Sequence, residues 1–325
     1  MRIRFWGTRG SLPVSLTAEN LRKKMIAVLT AAKGKVLNER EEIESFLASL
    51  PFSTTQTYGG QTCCVEIEQT RHHSKSDEYV LCDFGSGARA LGTHVIARHG
   101  SKTPNVFHVF MSHLHWDHIM GFPHFAPAYH AGNKIFIYGC HPEMERAFRR
   151  QQNEISFPIS FDALAADIHF IQLIPNESVH IAGLTVTPQL QFHTGDSYGY
   201  RFVANNGQIL VYSTDSEHKL ESPSETQRVV DFFSNADLVI FDSMYSFAET
   251  QSAKADFGHS SNLVGIELCQ LAKVKQLAFY HHDPLFSDER ISSIEIESKR
   301  LELLTRENNA ALKIISTYDG LEIDL

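Results

Sequence analysis

The sequence predicts a mixed α/β fold in which strands hand polar, metal-ligating side chains to the loops at their C-terminal ends. Three observations lead there. Short runs rich in aliphatic and aromatic residues recur along the chain and end on histidine or aspartate; stretches with apolar residues at helical spacing lie between them; and glycine- and proline-bearing turns separate the two. With 325 residues, 42% hydrophobic and 21% charged, the chain has the composition of a folded protein with room for a large core, and it is read as a single domain over 1–325.

Charge and cysteine usage narrow the class. A net charge of −9 argues against a broad basic surface for gripping nucleic acid, although a local basic patch survives such an average. The N-terminus, Met1 to Trp6, alternates like a strand rather than forming the apolar stretch of a signal peptide, and no segment approaches the roughly 20 apolar residues of a membrane span. Cys63, Cys64, Cys82, Cys140 and Cys269 are odd in number, lack Cys-x-x-Cys spacing and sit mostly in apolar runs, so they read as small buried hydrophobes in a reducing compartment. A cytoplasmic protein without a membrane partner is expected.

The opening strand runs into Gly7-Thr8-Arg9-Gly10-Ser11-Leu12-Pro13. Two readings compete for Arg9: a tight loop in which Gly7 and Gly10 supply unusual backbone angles, or an approach of Arg9 and backbone N–H groups to an anionic substrate. The first is favoured, since one arginine in a loop says little. Residues 17–50 form a helical hairpin insert: Thr17 suits an N-cap, Leu21, Met25, Val28 and Leu29 recur at helical spacing, Gly34 interrupts, and Ile43, Phe46, Leu47 and Leu50 resume before Pro51. Those apolar stripes need a cover, either the main body, which is favoured, or a second subunit of a homodimer.

The run Cys63 to Glu68, a polar loop from Arg71 to Glu78 and the run Tyr79 to Cys82 read as a hairpin. Asp83 follows at the strand end; it either orients a ligand histidine from behind or starts the helix-like stretch Ala88 to His99. Val106 to Met111 is the next strand, and it delivers Ser112-His113-Leu114-His115-Trp116-Asp117-His118 into a loop. Imidazole and carboxylate suit zinc, manganese and iron, and a strand end fixes their directions. His113 and His115, two apart, can reach one point from an extended backbone, while Asp117 and His118 lie beyond the turn, so one cluster can serve two ions. Phe122 to Tyr129 is too proline-rich for regular helix and could wall a pocket. Strands at Lys134 to Tyr138, Asp167 to Ile174 and Ser178 to Gln191 follow, with a charged helical stretch near Pro142 to Gln152.

The pattern at His113, His115, Asp117 and His118 resembles the signature of the metallo-β-lactamase superfamily. That resemblance implies a four-layer αββα sandwich, two divalent metal ions (zinc, or manganese or iron) and three further ligands at strand ends. His193 follows Val186 to Phe192, Asp215 follows Gln208 to Thr214, and His281 follows Gln276 to Tyr280. By the resemblance, His113, His115 and His193 hold one ion, Asp117, His118 and His281 the other, and Asp215 bridges. His282 is an adjacent alternative to His281; successive strand residues face opposite sides, so one of the two faces the metals.

A further motif, Phe257-Gly258-His259-Ser260-Ser261-Asn262, opens an apolar-periodic helix and places His259 at a helix N-terminus, where anions are favoured. With Phe5-Trp6-Gly7-Thr8-Arg9-Gly10-Ser11, Tyr58-Gly59-Gly60, Asp237 to Asp242 and Tyr318-Asp319-Gly320, it resembles the transfer-RNA 3′-processing ribonuclease (RNase Z) and its phosphodiesterase relatives over nearly the whole chain except the insert. The resemblance implies His259 and Asp117 as catalytic residues, with His259 protonating the leaving oxygen at the scissile phosphate. One departure stands out: the glycine- and basic-rich arm with which RNase Z clamps transfer RNA has no counterpart. Together with the charge of −9, this argues against transfer RNA and for a small phosphodiester, such as a cyclic nucleotide or short oligonucleotide. Rival readings are a lactone, thioester or β-lactam hydrolase, and a non-catalytic or iron-based sensing protein; all seven expected ligands are present, which speaks against a degenerate binder.

Overall fold

The computed structural model describes residues 1–69, 78–218, 222–245, 258–306 and 309–325. The first sheet contains β1 (Arg2–Gly7), β2 (Cys64–Glu68), β3 (Glu78–Cys82), β4 (Val106–Phe110), β5 (Lys134–Gly139), β6 (Asp167–Gln172) and the C-terminal β14 (Glu322–Asp324), in the order β14-β1-β2-β3-β4-β5-β6. The second contains β7 (Val179–Ile181), β8 (Leu184–Gln191), β9 (Ser197–Ala204), β10 (Ile209–Ser213), β11 (Leu238–Asp242), β12 (Gln276–Tyr280) and β13 (Lys313–Ser316), in the order β13-β12-β11-β10-β9-β8-β7. Each sheet is antiparallel on one side and parallel on the other, with β3 to β6 and β10 to β13 parallel.

The two-residue period of these strands explains why they read as continuous apolar runs. In β12, Ala278 and Tyr280 face the space between the sheets while Leu277 and Phe279 face the outer helices. In β4, Phe107 and Val109 face outward and Phe110 inward. A sheet covered on both faces needs apolar residues at both parities, and each fully buried Phe or Leu contributes about 1.5–3 kcal/mol. The inter-sheet core takes Ile3, Phe5, Val65 and Phe110 from one sheet and Val186, Tyr200, Tyr212 and Ile240 from the other. Outside the first sheet lie α4 (Ala88–His99), through Leu91 and Val95, the one-turn α5 (Trp116–Ile119), through Ile119, and α6 (Met144–Gln151), through Met144 and Phe148. Outside the second lie α7 (Pro223–Phe233), α8 (Asn262–Leu271) and α9 (Asp288–Thr305). This is the expected αββα sandwich.

The hairpin between β2 and β3 forms in antiparallel register, Val65 opposite Cys82, although residues 70–77 of its loop, like Phe257 of the glycine-histidine motif, lie outside the described residues. Phe122–His124 and Ala126–Tyr129 are 3-10 turns rather than α-helix, as their prolines require. Strands β9, β13 and β14 and helices α7 and α9 have no counterpart in the sequence reading.

The insert differs from expectation in its packing. Residues 18–49 do form two helices, α1 (Ala18–Ala31), capped by Thr17 accepting from the Asn20 N–H at 3.1 Å, and α2 (Arg40–Ser49), followed by the short α3 (Phe52–Thr55). The body does not cover the α1 stripe: no residue of α1 is buried, and Leu21, Met25 and Leu29 are 49%, 52% and 71% exposed. Attachment comes instead through Lys24, paired with buried Asp288 at 2.8 Å, and through Phe52, whose ring meets Tyr58 and Tyr318 at 4.7 and 4.8 Å. Among the described residues no helix is long and apolar enough to cross a membrane.

Candidate metal centre

The C-terminal ends of β3, β4, β8, β10 and β12 converge on one edge of the sandwich. Several of the turns there are sharp: Asp83, Asp215 and His281 take left-handed backbone angles, with φ of +61°, +42° and +58°. Such conformations are disfavoured for residues with a side chain and persist where the surroundings fix them. Two glycines admit close approach. A Cβ at Gly10 would lie 2.4 Å from His281 Cε1, and one at Gly258, φ +82°, would lie 2.4 Å from His193 Nδ1.

Two donor groups result. His113, His115 and His193 bring ring nitrogens together, with His193 Nε2 3.2 Å from His115 Nδ1, and the Asp215 Oδ2 atom lies 3.7 Å from both His113 Nε2 and His193 Nε2. Asp117, His118, Asp215 and His281 form the second group: Asp117 Oδ2 is 3.4 Å from His118 Nε2 and 3.2 Å from His281 Nε2, while Asp215 stands 3.2 and 3.3 Å from the same nitrogens. Asp215 therefore stands between the two groups.

The cluster fits metal ions by an independent test. The ring nitrogens His113 Nε2 and His118 Nε2 are buried and have no hydrogen-bond partner, a costly state unless an ion satisfies them. Burial lowers the pKa of His113, His115 and His193, which keeps these imidazoles in the neutral form that ligates. Burial also opposes ionisation of Asp117 and Asp215, but neighbouring His118 and His281 hold both carboxyls well below the usual carboxylate range. His118 is raised well above its ordinary value, since Asp215, Cys63, Asp117 and Asp83 outweigh its burial. Buried negative charge at this point calls for a positive partner.

The opposite ring atoms are held from behind, as ligand imidazoles usually are. His118 Nδ1 donates to Asp83 Oδ2 at 2.8 Å, and Asp83 also accepts from the Ser112 N–H at 2.8 Å and the Tyr212 hydroxyl at 2.7 Å. His193 Nδ1 donates to the Gly258 carbonyl at 2.7 Å, and Ser11 N–H donates to Asp117 Oδ2 at 2.7 Å.

Two residues weighed from sequence point elsewhere. His282 donates to the Thr317 carbonyl at 2.9 Å, and burial lowers its pKa to about 3; only His281 of the pair enters the cluster, turned away from His282 by its left-handed backbone just past the end of β12. The Arg9 guanidinium is buried, occupied by the carbonyls of Gly59, Asp283 and Phe286 at 3.0, 3.1 and 2.9 Å and within 4.0 Å of the buried Asp288 carboxylate, so it ties loops together rather than facing an anionic substrate. The first loop reaches the cluster through the Ser11 backbone instead.

His259 lies against both donor groups, its ring 5.0 Å from His193 and 5.2 Å from His281. Its Nδ1 donates to Asp242 Oδ2 at 2.7 Å. Burial alone would lower its pKa, but Asp242 overrides this by charge and hydrogen bond and lifts it to about 9. The pairing of Asp242 with His259 was not read from sequence; the available signal was an aspartate ending the wholly apolar run Leu238 to Phe241, the same placement as Asp83. Asp242 is fixed in turn by the N–H groups of Ser216 and Met244 at 3.1 and 3.0 Å.

Comparison with known proteins identifies the fold and the superfamily. Ribonuclease Z of Staphylococcus aureus is 30% identical over 131 residues, 40% of this chain; the match also spans only 40% of that enzyme's length. In three dimensions the metallo-β-lactamase fold protein YhfI of Bacillus subtilis superposes with a TM-score of 0.62 at 16% identity, covering 99% of this chain and 98% of that one. The short form of human tRNase Z gives 0.58 at 17% identity, covering 100% and 99%. Residues 78–282, well over half of the chain and including every residue of both donor groups, match the β-lactamase superfamily domain, and the protein belongs to that superfamily.

Proposed function

We propose that this protein is a dinuclear metal-dependent phosphodiesterase acting on a small phosphodiester. His113, His115 and His193 would hold one divalent ion, Asp117, His118 and His281 the other, and Asp215 would bridge them; zinc suits this imidazole-rich set, and manganese or iron are the alternatives. Bound there, the ions would supply an activated water and neutralise charge on the phosphoryl oxygens.

The observation that carries the reading is the His259–Asp242 pair. An imidazolium beside both donor groups, with Nδ1 engaged by Asp242 at 2.7 Å, leaves Nε2 to carry a proton to the departing oxygen of a phosphodiester. Asp242 fixes the tautomer and stabilises the charged form. Asp83 keeps His118 in its ligating orientation, and the Ser11 N–H does the same for Asp117. Hydrolysis of a thioester, whose thiolate can depart without a proton, would leave the His259–Asp242 pair without a task.

The small-substrate preference rests on the net charge of −9 and the missing basic arm. The ribonuclease Z relative lends that exclusion of transfer RNA no support, so transfer RNA belongs among the substrates tried. The test is hydrolysis of bis(p-nitrophenyl) phosphate by protein of assayed metal content, with zinc or manganese added. Metal-dependent turnover is expected; a fully metallated protein inert towards phosphodiesters but active on thioesters or lactones would overturn the reading.

A further inference from the structure

A cavity of about 640 Å³ is lined from within the histidine motif itself, by Leu114 and Trp116, the chain neighbours of His113, His115 and Asp117. Trp116 stands between His115 and Asp117 with 72% of its surface exposed. An indole left in water next to a reaction centre is an unused stacking face. Phe157, held edge-on by His124 at 5.4 Å, lines the same cavity.

Its charge is equally specific. Helix α6 carries Arg146, Arg149 and Arg150. Arg149 is taken by Glu145 at 2.8 Å and Asp162 at 2.5 Å and lies outside the cavity lining. Arg146 and Arg150, one helical turn apart, both line the cavity and have no ion pair among the described residues, against a single lining carboxylate, Glu143. In a chain of net charge −9, this is a local basic patch in a cavity that the histidine motif itself helps to line.

We infer that this cavity is a nucleotide subsite: Trp116 stacks the base next to the scissile phosphate, and Arg146 and Arg150 take a second phosphate. Aromatic faces bind bases of any sequence, guanidinium forks match phosphate oxygens, and the volume suits a ligand of nucleotide size. The inference rests on the phosphodiesterase reading and narrows it. A cyclic mononucleotide has one phosphate and would leave the two arginines without a partner, so the substrate class becomes a short oligonucleotide or another nucleotide ester with a flanking phosphate.

Calorimetric titration of the metal-loaded protein with thymidine 3′,5′-bisphosphate, thymidine 5′-monophosphate and deoxyribose 5-phosphate tests this without relying on turnover. The bisphosphate is expected to bind tightest and the base-free sugar phosphate weakest. Trp116→Ala should weaken both thymidine ligands by about tenfold or more, as loss of one base stack implies, with deoxyribose 5-phosphate unaffected and Trp116→Phe retaining most of the affinity. The double variant Arg146→Gln/Arg150→Gln should cost about tenfold or more for the bisphosphate, as loss of a charge-assisted contact implies, and far less for the monophosphate. Metal content measured on each variant guards against a disturbed centre. Equal affinity for base-bearing and base-free ligands, or binding unchanged in both variants, would overturn the subsite even if bis(p-nitrophenyl) phosphate is hydrolysed. Trp116-dependent nucleotide binding in a protein inert towards phosphodiesters would support the subsite and count against the proposed chemistry alone.

Discussion

The metal-centre edge and the helical insert at residues 17–50 invert each other's chemistry. At the edge, carboxylates and imidazoles are buried on a strained backbone: Asp215 and His281 are 2% and 1% exposed, with left-handed φ angles. In the insert, apolar side chains are exposed on a relaxed, well-capped helix, Leu29 at 71%. Burial of charge is stable only if the charges satisfy one another or an ion, so the edge is poised for a ligand. The exposed α1 stripe, in contrast, buries no side chain whose packing a substitution would break. Conformational strain together with buried charge marks the candidate site; hydrophobic periodicity alone marks a helix and nothing more.

Substitutions sharpen the contrast. Asp215→Ala removes the one carboxylate that stands between both donor groups and takes away a counter-charge 3.2 Å from His118 and 3.3 Å from His281. Metal analysis should find both ions lost or loosely held, with turnover at background. Asp83→Asn keeps the shape but removes the charge behind His118; metal affinity should fall by about 10–100-fold, the usual cost of such a supporting group, as read by chelator competition.

Asp242→Asn acts on protonation. The His259 pKa is raised to about 9, above its ordinary 6.5, so the favourable Asp242 pairing is fully present below 6.5 and is lost as pH rises through 9. A proton-donating His259 therefore gives a rate that declines on the alkaline side. Cations bound alongside push the same way as burial, so the limb of the loaded enzyme lies below that of the metal-free imidazole. Without the Asp242 charge the limb should move to still lower pH; an unmoved limb would mean that His259 is not the titrating donor. The smallest effect belongs to the insert: Leu29→Lys should change stability by less than about 0.5 kcal/mol in denaturant unfolding. A loss above about 1 kcal/mol, or a dimer falling to monomer on gel filtration, would show that a second copy covers the α1 stripe.

The arrangement was legible where the chemistry is local. Four donors lie within His113 to His118, and each remaining donor ends an apolar run, so the fold and the convergence of strand ends could be anticipated together. Of His281 and His282 only the first enters the cluster, and the left-handed turn at His281 that parts them is not a property strand parity contains. Partnerships across the fold left no such trace. Asp83 and Asp242 look alike in sequence, yet one braces His118 and the other His259. Arg9 has the chemistry of an anion binder and serves instead as a donor to three carbonyls. The α1 periodicity implies an apolar face, but whether anything lies opposite is a tertiary fact that periodicity does not contain.

The central claim is that His259 supplies a proton to a phosphodiester at an intact metal centre. The most direct measurement is turnover of bis(p-nitrophenyl) phosphate by His259→Ala alongside its metal content. A fall of about 10²–10⁴-fold, the range of a general acid, with both ions retained is the predicted result. Unchanged turnover at full metal content would contradict it.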